Sequence, residues 1–335
     1  MNKPNLKTTD KRSVYKPIQF NWALDACDAQ HKMHWLPYEI DLLSDLNEFN
    51  QVLNAHEKGV ITNILRFFTQ ADLEVGRAYI DYYLKIFKCP EIRMMLTSFA
   101  SMETIHVLAY SYLITSLRFP DSEYKAFLQY EEMTAKYDYM QSFDPNDPFS
   151  IALTLAVFSG FIEGMTLFSS FAILMYFPVR RAQVSKSALH GVGQIVSFSI
   201  RDESLHCISV IRLFHEYVKE NKNTIDIKKL HDEIYSHCRQ LVEYEFAFID
   251  LVFAEGELEG LSVKDLKNYI YYLADLRLKQ LGLKPIFGFE KNPLEWTNTF
   301  LFPQELANFF ELTPTNYTKG DFVKDQSFDY EDYKW

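Results

Sequence analysis

Residues 151 to 177 read IALTLAVFSGFIEGMTLFSSFAILMYF, an apolar run whose single acidic or basic residue, Glu163, stands near its centre. The run is too long for a strand and long enough to tempt a transmembrane reading, yet a carboxylate at the midpoint of a bilayer is costly. A helix buried inside protein accounts for it better. An unpaired carboxylate is costly in a protein core as well, so Glu163 needs a partner there: a metal ion, another charge or a proton.

The rest of the chain follows the same period. Apolar residues recur at helical spacing over 57 to 87, 90 to 117, 122 to 143, 185 to 220, 227 to 255 and 262 to 283, with turn residues DPNDP at 144 to 148 closing the third of these. No stretch alternates as a strand does, and there is no glycine-rich nucleotide loop and no short repeat. The expected fold is all-α, a bundle of long core helices in one domain. Pro4, Pro17 and Pro37 punctuate residues 1–50, which read as an extended arm carrying short helices. The bundle then spans 51–302, and 303–335 reads as a flexible tail. Four of the last eight residues are aromatic and are interleaved with acids, a composition suited to a docking peptide that orders on a partner.

Composition narrows the function. The net charge is −11, so general attraction to nucleic acid or to an anionic membrane surface is not expected. Cys27, Cys89, Cys207 and Cys238 are scattered without CxxC spacing and read as reduced thiols. The polar, basic N-terminus lacks the apolar core of a signal peptide, and a cytoplasmic location is the expectation.

Two Glu-x-x-His pairs stand out, Glu103 with His106 and Glu203 with His206. With 24 Glu and 9 His in the chain, chance alone gives roughly 0.6 such pairs, so spacing by itself says little. Context says more. Residues i and i+3 share a helix face, and each pair lies on an apolar helix where an oxygen and a nitrogen would face the same interior point. Two such pairs plus one carboxylate from each of two other helices form the bundle recipe for a dinuclear iron or manganese site. Glu163 is one of those carboxylates. Asp72, in TQADLEV at the middle of the first long helix, is the other, with Glu74 as its competitor. The expected ligand set is Asp72, Glu103, His106, Glu163, Glu203 and His206.

The order of these residues, with the blocks HWLPYEIDL (34–42), FFTQADLEVGRAY (67–79), METIHVLAYSYL (102–113), FIEGMTLFSSFA (161–172), IRDESLHC (200–207) and LADLRLKQLGLKPIF (273–287), resembles the small, radical-generating subunit of class I ribonucleotide reductase. The resemblance covers most of the chain. It implies a ferritin-like bundle whose six ligands hold two metal ions, two irons first, with two manganese ions or a mixed pair as alternatives. Dioxygen or an oxidant derived from it would activate them. Tyr110, four residues after His106, matches the tyrosine that holds the stable radical. Trp35, Asp202 and His106 match the chain of residues along which the radical leaves. Tyr317 is the matching tail tyrosine, with Tyr330 and Tyr333 as alternatives. The implied partners are a large catalytic subunit held by the C-terminal tail, a second copy of the small subunit, and a flavoprotein as candidate activator. One departure concerns the wall of the radical pocket: the positions four and eight after Glu163 are Leu167 and Phe171, and Ser199 adds a polar group.

Two other readings of the same residues differ in class: a dimetal-carboxylate oxidase acting on a small organic or lipid ligand, and an iron store. An oxidase would lack Tyr110 or the tail aromatics, and a store has no use for Trp35, Asp202 and a docking tail. His31 and His34 in HKMH could pass for a metal pair, but they lie in the arm and read as surface or structural residues. Cys207, turned about 100° from His206 on a helix, reads as packing.

Overall fold

The computed structural model describes residues 6–120 and 146–301, except for the side chains of 67, 69–74, 300 and 301. The helix expected over 122 to 143 and the tail after 302 lie outside the described residues. The principal helices are α1 (Asn21–Lys32), α2 (Leu43–Gln51), α3 (Ala55–Arg77), α4 (Pro90–Ser116), α5 (Pro148–Val157), α6 (Leu167–Met175), α7 (His190–Glu220), α8 (Ile227–Val252) and α9 (Val263–Gln280). Among the described residues the only β pairing is an isolated bridge between Leu258 and Leu261.

Local chemistry explains where the helices begin. Pro90 and Pro148 open α4 and α5, a position that needs no N–H donor. Asp147, Asp226 and Ser262 cap α5, α8 and α9 by accepting from backbone N–H groups of the first turn. For α7 the cap is supplied from elsewhere in the chain. Asp45 of α2 accepts from the N–H groups of Gly191 and Val192 at 3.0 and 2.8 Å, and Glu48 accepts from Leu189 N–H at 2.7 Å. The approach is so close that a Cβ at Gly191 would stand 2.6 Å from the Asp41 carbonyl oxygen. The helix expected from 185 therefore starts at His190, because the Asp45 cap and the left-handed backbone of Leu189, φ 60°, set its first turn.

The long helix expected over 57 to 87 is interrupted by a change of winding. α3 gives way to a π-helical turn, Ala78–Tyr83, before a last turn of Leu84–Ile86. A second π-helical segment, Phe158–Thr166, joins α5 to α6 and carries Glu163. Apolar spacing does not reveal these turns: Phe158–Thr166 is buried on every face, so it has no one-sided stripe to shift, and the six residues of Ala78–Tyr83 are too few to show a change of period.

The apolar 151–177 segment is core. Ile151, Leu155, Phe161, Met165, Phe171 and Leu174 are all buried, and the segment packs against α7, α8 and α9. α4 packs between α1 and α3 and also meets α7, so α4 and α7 bring the two Glu-x-x-His faces together. Burial of each large apolar side chain in this layer contributes about 1.5–3 kcal/mol. The N-terminal arm is tied down rather than free. Thr8 bonds Glu220 through its N–H and its hydroxyl, while Arg12 pairs with Glu91. Through α1 the arm lies along α4.

Candidate metal centre

Three helical elements supply side chains to one buried pocket. α4 supplies Glu103 and His106, the π-helical segment supplies Glu163, and α7 supplies Glu203 and His206; all five side chains are at most 1% exposed. Glu103, Glu163, Glu203 and His206 each place a ligand atom within 4.8 Å of the others. His106 Nδ1 joins them at 3.1 Å from Glu203 Oε1 and 3.4 Å from Glu103 Oε2. Asp72 and its competitor Glu74 both lie on α3, and their side chains fall outside the described ones. The helix itself is close: a Cβ at Gly76 would come within 3.2 Å of Glu103 Cβ.

Both imidazoles are oriented from behind. His106 Nε2 faces Asp202 Oδ2 at 3.2 Å, and His206 Nε2 donates to Gln30 Oε1 at 2.9 Å. With Nε2 so engaged, Nδ1 of each ring points into the pocket. There His206 Nδ1 stands 2.9 Å from Glu103 Oε1. Gln30 also donates to Asp202 Oδ1 at 3.1 Å, so one amide links the supports of both histidines.

The electrostatics identify what the pocket accommodates. Both oxygens of Glu103, Oε2 of Glu163 and of Glu203, and Nδ1 of both histidines are buried and turned toward one another, with close pairs among them such as His206 Nδ1 and Glu103 Oε1 and no partner outside the pocket. Buried polar atoms are seldom left this way, and here six of them face one point. Burial drives Glu163 well above the usual carboxylate range, and the neighbouring charge of Glu203 drives it further. Burial acts the same way on Glu103, but His106 and His206 overcome it and hold that carboxyl at about 2. Burial disfavours the charged form of His206, yet its bonds to Glu103 and Glu203 raise it to about 10. Without metal, the carboxylates of the pocket are offset only by protons held on Glu163 and on both imidazoles, protons that bound cations would replace. Divalent cations with oxygen and imidazole ligands satisfy both the charge and the inward atoms.

Tyr110 lies one turn beyond His106 on α4 and is 1% exposed. Its hydroxyl donates to Ser199 Oγ at 3.2 Å. Phe68 stacks on its ring at 4.5 Å with planes 7° apart, and Phe171 stacks in turn on Phe68 at 5.4 Å. On the far side of His106, Asp202 accepts from the indole N–H of Trp35 at 2.8 Å. The structure thus brings Trp35, Asp202, His106, Glu103, Glu203, His206 and Glu163 into one connected group. Tyr317 lies outside the described residues.

A family model described as "Ribonucleotide reductase, small chain" matches residues 12–293. The chain belongs to this family. A relative in Invertebrate iridescent virus 6, described as a probable ribonucleoside-diphosphate reductase small subunit, is 39% identical over 92% of this chain and 96% of its own length. Two solved structures share the fold. A putative class I ribonucleotide reductase from Bacillus halodurans aligns with TM-score 0.76 at 20% identity, covering 84% of this chain and 100% of that one. The dimanganese(II) NrdF of Streptococcus sanguinis aligns with TM-score 0.67 at 19% identity over 83% and 94%. This small chain is accordingly a ferritin-like, metal-binding member of an oxidoreductase family, and the apolar helix is part of its core.

Three residues at the centre escape sequence reasoning. Gln30 sits in the arm, where nothing in its local pattern marks it. Tyr79 closes the block FFTQADLEVGRAY and donates to Glu163 Oε1 at 2.6 Å. Phe68 falls in the same block and stacks directly on the Tyr110 ring. A polar residue on the apolar face of α1 and a tyrosine seven residues after Asp72 were the available signals. His31 and His34 are exposed, and Cys207 is buried in packing, in line with expectation.

Proposed function

We propose that this small chain of ribonucleoside-diphosphate reductase holds a dinuclear metal centre that oxidises Tyr110, and that the radical passes to a large catalytic subunit where ribonucleotides are reduced. The observation that carries the reading is the set of six buried, inward-facing ligand atoms whose only partners are one another, beside a buried phenol.

Asp72, Glu103 and His106 would serve one ion and Glu163, Glu203 and His206 the other, with the carboxylates able to span both. When bound, the ions supply the oxidising power, drawn from dioxygen or an oxidant derived from it. The remaining work belongs to side chains. Asp202 and Gln30 keep both imidazoles turned so that Nδ1 faces the ions. Phe68 and Phe171 exclude water from Tyr110, which lengthens the life of a phenoxyl radical. Ser199 Oγ receives the phenol's hydrogen bond. His106, Asp202 and Trp35 form a hydrogen-bonded route away from the metals toward the protein surface, and the large subunit would dock beyond it. The carboxylate-rich set suits iron and manganese equally by ligand chemistry, with two irons as the first choice. The related NrdF carries two manganese ions.

The arm of 1–50, the bundle of 51–302 and the tail of 303–335 would divide the labour. The tail docks the large subunit, with Tyr317 passing the radical between subunits. A homodimer in the cytoplasm, activated with or without a flavoprotein, completes the proposal.

Electron paramagnetic resonance on protein loaded with Fe(II), or with Mn(II) and an activating flavoprotein, and exposed to oxygen tests it. The wild-type spectrum should contain a tyrosyl signal that Tyr110→Phe removes, along with turnover in the presence of the large subunit. A fully loaded wild type whose spectrum matches that of Tyr110→Phe under both metals would overturn the assignment.

A further inference from the structure

Tyr79 is fully buried and meets the metal pocket at Glu163, whereas the Tyr110 hydroxyl meets Ser199. It projects from the π-helical turn Ala78–Tyr83, and the carboxylate it meets, Glu163, projects from the π-helical segment Phe158–Thr166. π-helical turns are rare and concentrate at functional sites. Here one on each of two facing helices brings a phenol and a candidate ligand into a 2.6 Å hydrogen bond. Glu163 Oε1 accepts that bond, while its Oε2 is left facing the pocket without one.

The surroundings of Tyr79 are those of a guarded phenol. Phe99 and Phe158 stand edge-on to it, each at 6.1 Å, and the His206 ring lies 6.0 Å away. Tyr83, one turn further, is 5.9 Å from it and also fully buried. A buried phenol is hard to oxidise unless its proton has somewhere to go at the same moment. Tyr79 has a carboxylate oxygen as direct acceptor.

We propose that Tyr79 is a second oxidisable tyrosine of the metal centre, distinct from Tyr110 and served by Glu163 as its proton acceptor. The step removes one electron and one proton from the phenol. With ions bound and Glu163 held ionised by them, the Tyr79 O–H bond would break, an O–H bond would form at Glu163 Oε1, and the electron would pass to the one-electron oxidant that the loaded centre supplies for Tyr110. The resulting phenoxyl radical has Tyr83 as its neighbouring phenol, so an oxidising equivalent that fails to reach Tyr110 has a defined place to settle inside the aromatic layer. The inference rests on the reading of the pocket as an oxidising dimetal centre.

The test uses full-length protein with metal content measured for each variant. Tyr110→Phe, loaded with Fe(II) and exposed to oxygen, should show a tyrosyl signal whose hyperfine splitting collapses when the protein is grown on ring-deuterated tyrosine. Tyr110→Phe/Tyr79→Phe should lower that signal at least tenfold, and Tyr110→Phe/Tyr83→Phe should retain it. Should the Tyr79→Phe change reduce metal content, 3-fluorotyrosine placed at position 79 in Tyr110→Phe keeps the hydroxyl and should add a fluorine splitting to the signal. A wild type with a tyrosyl signal and a Tyr110→Phe variant with none would overturn the inference while leaving the proposed function intact. So would a signal that persists in the Tyr79 double variant or lacks the fluorine splitting. No oxidised species in any loaded protein, wild type included, would overturn the proposed function and this inference with it.

Discussion

Trp35 donates its indole N–H to Asp202 Oδ2 at 2.8 Å, and the same oxygen stands 3.2 Å from His106 Nε2. Two residues 167 positions apart in sequence are thereby joined through a carboxylate that is fully buried. Burial works to raise the Asp202 carboxyl, but His106, Arg201 and Trp35 together hold it below the usual range, so it remains an acceptor.

Trp35→Phe should separate metal chemistry from radical export. The ring keeps its place against Phe198, 5.3 Å away, while Asp202 loses one donor. Loss of a hydrogen bond to a buried charged group costs about 1–3 kcal/mol, so a modest fall in melting temperature is expected. Metal content and the Tyr110 signal should match wild type, and turnover with the large subunit should fall at least a hundredfold. Wild-type turnover would show that Trp35 is not on the route.

Gln30→Leu should weaken the metal site without dismantling the fold. The amide accepts from His206 and donates to Asp202, so leucine at similar volume leaves both without that partner. Changes behind a ligating histidine typically weaken binding about 10–100-fold. Titration with Mn(II), followed by calorimetry, should show that loss, with the helical circular dichroism unchanged. An unaltered affinity would mean that the Gln30 amide does not set the orientation of His206.

Much of the centre was legible from the sequence because helical spacing is a local rule. Glu103 with His106 and Glu203 with His206 had to share helix faces, and Glu163 in an apolar run had to find a partner. What stayed hidden depends on contacts between distant segments. Gln30 reaches Asp202 across 172 positions, and Asp45 caps α7 across 146; neither leaves a mark within a helical period. The π-helical turns were equally invisible, because one lies in a segment buried on every face and the other is too short to betray its altered period. The resemblance placed Tyr110, and the fold placed Phe68 over it.

Gly164→Ala should destabilise the protein and loosen its metals together. A Cβ there would lie 2.7 Å from Arg277 Nε, 2.7 Å from Cys207 Sγ and 2.8 Å from the Ser159 carbonyl oxygen. The backbone oxygen cannot swing aside as a side chain does, so the π-helical segment must shift, and Glu163 is its adjacent residue. Overpacking of this kind costs about 1–3 kcal/mol. Thermal unfolding should register that loss in metal-free protein, and metal content should fall in parallel. Ala at Gly256, which has nothing within 4 Å but a φ of +124°, would carry a backbone penalty alone and leave the metals in place.

His215 should make stability fall with acid in a specific window. The side chain lies on α7, its Nε2–H donates to the Gln280 carbonyl at 2.8 Å, and burial lowers its pKa from 6.5 to about 4. Because the folded value is depressed, the ring is neutral in folded and unfolded protein alike above 6.5, and its contribution is then fully present. As the pH falls from 6.5 toward 4, the unfolded chain takes up a proton that the folded one refuses. Stability then drops by about 1.4 kcal/mol for each pH unit, levelling off below the folded value. Denaturant unfolding of metal-free protein at half-unit steps from pH 7 to 4 measures the slope. His215→Gln removes the titrating group, so its slope over that window should be shallower by about one proton, whatever its stability at pH 7. Equal slopes in the two proteins would show that the acid sensitivity of the fold resides in other groups.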